Sequence, residues 1–504
     1  MKRFALAAAA VTCVLSGCAI GPNYRQPSVE TPEQYKEAPS KESQARESQA
    51  RESQARESQA KEPQSAGVAD SGARNSTLPE KWWRVFNDPK LDELEERVAV
   101  SNQNLAAAEA SYRQATAIVS QARASFFPFV NLGADASRSG GPGRSKTVTT
   151  GGTGTGIADT RSSNTYQASA TAGWEIDLWG RLRRSLENAH ALADASAADL
   201  AFARLSLQAQ LATAYLQLRE ADSEVRMLSA TVDAYSRALQ IAQNRYNVGM
   251  AAKVDVLQAR TQLANAQEQS ASIVLSRAQL EHAIAALVGA PASNFSLKPD
   301  PTFNAAVPVV PAGVPSVLLA HRPDIESAER RVAAANADIG VQEAAYLPSL
   351  TLNGTYEFLS TAASTLFKAA NEVHTVAASA SQTLFDAGTT RARVSGARAA
   401  YDQSVAEYRQ SVLTAFQDVE DQLAASRQLE RQHEFRRQAS EAADESERLV
   451  LNQYRAGTVS FTNVVVAQTA ALSARVALSQ IAVQRQTTAI ALIQATGGGW
   501  KPEP

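Results

Sequence analysis

Residue types that carry chemistry are thinly spread along this sequence. The five histidines, His190, His282, His321, His374 and His433, lie far apart, none in metal-ligand spacing and none beside a cysteine pair. His321-Arg322-Pro323-Asp324 has the outline of a kinase catalytic loop, but proline interrupts it and no other kinase element accompanies it. Pro323 with Asp324 and Glu326 reads instead as a helix start, the acids sitting near the positive end of the dipole. The glycine-rich run at 149–156 is followed by no Gly-Lys-Ser/Thr and no helix, so it does not cradle phosphate. No general acid–base pair emerges, and the expectation is a protein that is not an enzyme and has neither metal nor cofactor.

The one residue with a specific chemical assignment is Cys18. Lys2 and Arg3 precede an apolar run from residue 4 to 15, and Leu15-Ser16-Gly17-Cys18 closes it with small residues and a cysteine. Twelve apolar positions are too few to cross a bilayer, which takes about twenty. The pattern resembles the lipobox of bacterial lipoproteins, in which the cysteine is acylated and becomes the first mature residue. That resemblance makes residues 1–17 a signal peptide and Cys18 a lipid anchor, and Ala19 after it favours sorting to the outer membrane. Cys13 leaves with the peptide, so the exported chain keeps one cysteine and no disulfide.

Composition narrows the class further. Lysine and arginine total 49 against 51 acidic residues, a near balance that offers nothing to nucleic acid. Aromatic residues are only 6% while alanine is abundant, which favours long close-packed helices over a bulky core. After the anchor, residues 41–65 repeat every five residues as Lys-Glu-Ser-Gln-Ala, three copies of Arg-Glu-Ser-Gln-Ala, and Lys-Glu-Pro-Gln-Ser. Almost devoid of large apolar side chains, this segment reads as a tether.

The elements follow from periodicity. A helical stretch at 91–124 meets Phe126-Phe127-Pro128, where proline stops it. Val130, Leu132, Ala134 and Ala136 then alternate with Asn131, Gly133, Asp135 and Ser137, a strand with one apolar face. A partner strand alternates Tyr166, Ala168, Ala170, Ala172, Trp174, Ile176 and Leu178 with polar or small residues, and residues 139–164 between them read as a long hairpin loop. From Gly180 to Gly249 no proline or glycine intervenes, and Leu207, Leu211, Ala214, Leu218, Ala221, Val225, Leu228, Val232, Tyr235, Leu239, Ala242 and Tyr246 are spaced four and three in turn. That is a coiled-coil period of about 3.5, and about 65 residues of it make a rod of roughly 100 Å. A second helix returns over 254–287.

The chain then repeats itself. Tyr346-Leu347-Pro348 is a second helix stop, Leu350, Leu352, Tyr356 and Phe358 begin a second strand pair ending at 373–384, and Gly388 to Gly457 spans 69 residues, as does Gly180 to Gly249. Four strands cannot close a barrel in a bilayer, where edges are forbidden and closure takes at least about eight. The duplication predicts a ring of chains. Three chains give twelve strands and an open lumen, whereas two give eight around a narrow, filled one.

At these residues the chain resembles the TolC-like outer-membrane efflux proteins, in the lipoprotein branch called NodT-like or OprM-like. The carriers are Leu15 to Cys18, Gly21-Pro22-Asn23-Tyr24, Trp82-Trp83 with Phe86 and Asp88, Trp174 to Arg181, Arg245-Tyr246 with Gly249 and Asp255-Val256-Leu257, Arg322-Pro323-Asp324-Ile325 with Ala328-Glu329, Leu384-Phe385-Asp386 with Gly388, and Tyr454 with Gly457. The resemblance implies an α+β membrane protein, with a coiled-coil α-barrel in the periplasm and a β-barrel of twelve strands shared by a homotrimer. It also implies a mixed belt from residues 66–96, 289–320 and 493–504. The organisation becomes a lipidated linker over 18–80, a first repeat over 81–320 with β-hairpin 126–178 and helical hairpin 181–288, and a second over 321–504 with β-hairpin 347–386 and helical hairpin 389–496. Implied partners are a periplasmic adaptor, an inner-membrane RND-type pump and outer-membrane lipid. The implied function is the exit duct of a tripartite drug efflux system.

The helical turns are the expected docking and gating region. Gly249, Asp255 and Gly457 are placed at the tip that meets the adaptor. Many family members close this tip with aspartates after the second glycine, but Asn463 and Val466 stand at the matching positions here. A constriction of Phe461, Asn463 and Val466 replaces the anionic ring in this reading; the alternative is that these side chains pack between helices. Two other functions stay in view. A protein-secretion duct of the same fold explains everything but the lipobox, and a lipid-anchored coiled-coil adhesin explains the helices but not two amphipathic hairpins.

Overall fold

In the computed structural model the described residues are 19–37, 81–140, 163–300, 303, 307, 308, 310 and 321–501. Cys18, the five-residue repeats and the glycine-rich run at 149–156 lie outside them.

The described chain opens its first repeat with a 3-10 turn, Trp82–Phe86, and helix α1, Pro89–Ser101. Asp88 caps α1 by accepting from the Lys90 and Leu91 amides, while Pro89 at the first position gives up only an amide that the helix leaves unpaired. Helix α2, Gln103–Ala124, precedes strands β1, Phe129–Ser139, and β2, Ser163–Ile176. Helices α3, Arg181–Asn247, and α4, Lys253–Leu287, complete the repeat. The second repeat runs α5, Pro323–Ala344, β3, Ser349–Ser360, β4, Glu372–Ser381, α6, Thr389–Arg455, and α7, Phe461–Ala495. Helices α3 and α6 both have 67 residues, and α4 and α7 both have 35. The expected α+β class with internal duplication is the observed one.

The two hairpins fuse into one antiparallel sheet, ordered β1-β2-β3-β4. The sequence pattern predicts the hairpins; the β2–β3 pairing, Tyr166 opposite Ser360 through Ile176 opposite Leu350, joins them within a single chain. Since directly opposed residues share a face, the register sorts the side chains. Leu132, Ala170, Tyr356 and His374 fall on one row of one face, and Gly133, Ser169, Glu357 and Val373 on the adjacent row of the other. The first face is mostly alanine, leucine, valine and aromatic; the second is mostly serine, threonine, asparagine and acid. Every strand–helix junction lies at the same end of the sheet, because β1 and β3 begin just after α2 and α5, and β2 and β4 end just before α3 and α6.

Two compact units divide the chain. One comprises Met1–Pro27, Arg113–Ala195 and Glu329–Ala406, and holds the sheet. In it the segment after Ala19 is seated between helices. The Ile20 amide donates to the Trp179 carbonyl at 3.1 Å, Arg184 Nε donates to the Ile20 carbonyl at 3.2 Å, and Asn336 Nδ2 donates to the Pro22 carbonyl at 2.9 Å. Gly340 is required at this contact, since a β-carbon there would come within 2.7 Å of the Ile20 oxygen.

The second unit comprises Ser28–Tyr112, Ser196–Ala328 and Glu407–Pro504. Its main core packs Trp82, Trp83, Phe86, Leu91 and Leu94 against Leu211, Leu216, Ile284, Leu297, Ile490 and Ile493. The 3.5-residue stripe of α3 is buried at Leu207, Leu211, Leu218, Ala221, Leu228, Tyr235 and Ala242, as a coiled-coil seam requires. It fails at its last member, since Tyr246 is exposed. Helix α7 is apolar and long enough to cross a membrane by length and composition; its Val464, Ala471, Ile490 and Ile493 are instead buried in the chain's own core.

Candidate functional site

The two helical turns are built alike. At the end of α3 the Gly249 amide donates to the Tyr246 carbonyl at 2.9 Å and the Met250 amide to the Arg245 carbonyl at 2.7 Å. At the end of α6 the Gly457 amide donates to the Tyr454 carbonyl and the Thr458 amide to the Gln453 carbonyl, both at 3.0 Å. Both are Schellman caps, in which the residue after the helix takes a left-handed conformation that glycine adopts without strain. Neither glycine has any atom within 4 Å of where a β-carbon would stand, so the space around both turns is open.

Residue by residue, the geometry separates the candidates. Asp255 is half-buried in the first turn of α4, and Asn463 holds the equivalent position in α7, exposed to solvent. Val466 is 65% exposed. Phe461 is 2% exposed and packs edge-on against Tyr454 at a centroid distance of 5.4 Å, among Ala242, Ala259 and Val464. Within this chain, therefore, Phe461 takes the packing alternative, while Asn463 and Val466 have free side chains.

One link at the turns escapes sequence reasoning. The Arg245 guanidinium lies over the Tyr454 ring at 4.8 Å and donates from Nη1 to the Tyr454 carbonyl at 3.3 Å, tying the two turns together. Tyr246 and Tyr454 occupy equivalent places in the repeats, but only Tyr454 is buried, packed among Ala242, Ala259, Phe461 and Val464, and the residues before them differ, Arg245 in the first repeat and Gln453 in the second. That local break in the duplication was the available signal. Helices α4 and α7 are further bridged near the turn by Thr462 to Gln258, at 3.3 Å, and Thr469 to Gln262, at 3.4 Å.

Above the turns, α3 and α4 are locked by a buried ion network. The Asp222 side chain, with no exposed surface, accepts from Arg219 Nη1 at 2.9 Å, from Arg277 Nε at 2.6 Å and from the Asp300 amide at 3.2 Å. Arg277 also donates to the Leu297 carbonyl, and Glu281 accepts the Leu297 amide. Multiple partners are what make a buried carboxylate tolerable, and here they fix the residues around 297–300 to the helical hairpin. Two residues before Asp222, burial first and Glu224 second push the Glu220 carboxyl up to about 7.

On the sheet, the polar face carries Asp135, Glu175 and Glu357 and no lysine or arginine; the one arginine of the four strands, Arg138 near the end of β1, lies on the other face. Glu175 is neutralised by Arg181, with contacts of 3.0 and 2.7 Å, and Glu357 accepts from Gln167 Nε2. An apolar face backed by a polar one, on strands of 10 to 14 residues, suits a wall with lipid on one side and water on the other. Nothing in these arrangements poses a nucleophile, a proton shuttle or a ligand set; among the described residues no group of three or more histidine, cysteine or acidic side chains is arranged to hold a metal.

Comparison with known proteins agrees with this geometry. Residues 94–290 and 314–498 match the family described as outer membrane efflux protein. The pyoverdine export outer membrane protein OpmQ of Pseudomonas putida is 30% identical over 437 residues, covering 86% of this chain and 91% of that protein. The toluene efflux pump outer membrane protein TtgC of Pseudomonas putida is 29% identical over 503 residues, covering 99% and 96%. Among solved structures, the outer-membrane channel OprN superposes with a TM-score of 0.81 at 30% identity, over 96% of this chain and 100% of that one.

Proposed function

This chain belongs to the outer membrane efflux protein family, and from that premise we propose how its own residues build and operate the channel. The protein is an outer-membrane efflux channel. The observation that carries the finer reading is the four-stranded sheet, whose outer strands β1 and β4 pair with no further strand among the described residues. In a bilayer such edges must be paired. A homotrimer closes twelve strands into one barrel, with Leu132, Ala170, Tyr356 and Val376 on the lipid side and Asp135, Thr171, Glu357 and Ser379 on the lumen side. Since all helices leave one end of the sheet, that end faces the periplasm. Acylated Cys18 anchors the chain at the same end, because Ala19 is held beside Gly180.

In this reading the turns at Gly249 and Gly457, with Asp255, receive a periplasmic adaptor that couples the duct to an inner-membrane RND-type pump. Asn463 and Val466 line the narrowest point, and Phe461 supports them from behind. The channel does no chemistry; it offers a passive path, and the pump supplies work and selection. Its cargo is proposed to be small toxic compounds, antibiotics among them, since its relatives include outer membrane proteins of a toluene and an antibiotic efflux pump. Deleting the gene should raise intracellular accumulation and drug susceptibility, both restored by the wild-type chain. Unchanged susceptibility across solvents, dyes and antibiotics, with the partner pump expressed, defeats the drug-efflux reading.

A further inference from the structure

Beneath the helix-joined end of the sheet lies a cavity of 660 Å³, within the range of about 300–1,000 Å³ that small-molecule sites occupy. Its apolar wall is Ile20, Tyr346, Leu347 and Val394, and two guanidinium groups, Arg391 and Arg398, stand on its α6 side. They differ in one respect. Arg398 Nη2 is matched by Glu343 Oε1 at 2.8 Å, whereas Arg391 makes no hydrogen bond or ion pair among the described residues. The cavity thus joins a greasy wall to one unmatched positive charge.

Its surroundings fix its depth. At the same end of the sheet Phe127 is 67% exposed, Trp174, on the apolar face, 38%, Leu384 89% and Phe385 88%. Exposed apolar and aromatic side chains grouped at a barrel rim mark the boundary between hydrocarbon and headgroups. On the outer-membrane reading above, on which this inference rests, the cavity opens at the phosphate level of the periplasmic leaflet.

We infer that the cavity is a binding site for a phospholipid, the Arg391 guanidinium taking the phosphate while the glycerol and first methylenes lie along Ile20, Tyr346, Leu347 and Val394. A planar guanidinium forms paired charge-assisted bonds with a phosphodiester. The alternative occupant is the acyl group of Cys18, because Ile20 lines the wall. A thioether-linked acylglycerol has no phosphate, however, and would leave Arg391 unmatched. A lipid seated here clamps the lipid-bearing arm to α6 and sets the height of the barrel in the membrane.

Native mass spectrometry of the assembled channel, purified from outer membranes and titrated with dioleoylphosphatidylglycerol, tests this. The wild type should retain one lipid per chain, and Arg391→Glu should weaken retention by at least about tenfold, the loss of a charge-assisted contact. Val394→Trp, which fills the cavity, should do the same. Arg393→Glu, on the same helix but outside the cavity, should leave retention unchanged, as should Cys18→Ser. Equal retention in Arg391→Glu and Arg393→Glu overturns the proposal. So does loss of the adduct in Cys18→Ser alone, which assigns the cavity to the chain's own acyl group. Wild-type protein missing from the outer-membrane fraction removes the proposal together with the reading beneath it, an outcome distinct from loss of lipid in a correctly located channel.

Discussion

Gly249 and Gly457 end helices of equal length in the same backbone conformation, each with φ of 78°. A side chain at either position is strained by the left-handed backbone at a cost of roughly 1–2 kcal/mol, but meets no neighbour. Gly249→Trp and Gly457→Trp should therefore leave oligomers at normal abundance in the outer membrane while abolishing adaptor cross-linking and drug resistance. Normal resistance in both variants refutes docking at the turns.

The exposed and buried gate candidates should separate cleanly. Asn463→Asp and Val466→Ala alter side chains free of the core, so single-channel conductance and leakage of large antibiotics should change while thermal stability moves by less than about 0.5 kcal/mol. Phe461→Ala empties a buried site beside Tyr454 and should cost about 3–5 kcal/mol. Conductance unaltered in the first two returns them to the helix surface.

A pH dependence follows from Glu220. Its carboxyl titrates near 7 in the folded chain instead of 4.5, so the unfolded state sheds its proton first as pH rises. Stability is full below about 4.5 and falls between there and about 7, by an amount on the order of 1–3 kcal/mol. Glu220→Gln should flatten that part of the curve and raise the unfolding temperature at pH 8. A slope identical in both proteins would mean that Glu220 is ionised and paired in the assembled channel.

Much of the architecture is legible in the sequence because its signals are local. Pro128 and Pro348 stop helices by losing an amide, Gly249 and Gly457 end them by tolerating positive φ, and alternation along β1 and β2 reports two unlike environments. What is not legible depends on partners remote in sequence. Alternation says which face Tyr166 occupies but not that Ser360 lies across from it. Gly21 and Gly340 look unremarkable apart, yet a β-carbon on Gly21 would stand 2.5 Å from the Gly340 α-carbon. The turns show the same limit: Phe461 fits a constriction by type and spacing, and only the packing of Tyr454 against it shows where its ring goes.

On the proposed function, this chain completes its barrel with copies of itself. The mass of the detergent-extracted particle, measured under native conditions from outer membranes of cells expressing the chain, tests that most directly. Three chains per particle is the predicted result, since four strands per chain then close a barrel of twelve with no free edge. A stable, folded monomer, with β1 and β4 left unpaired, would contradict it.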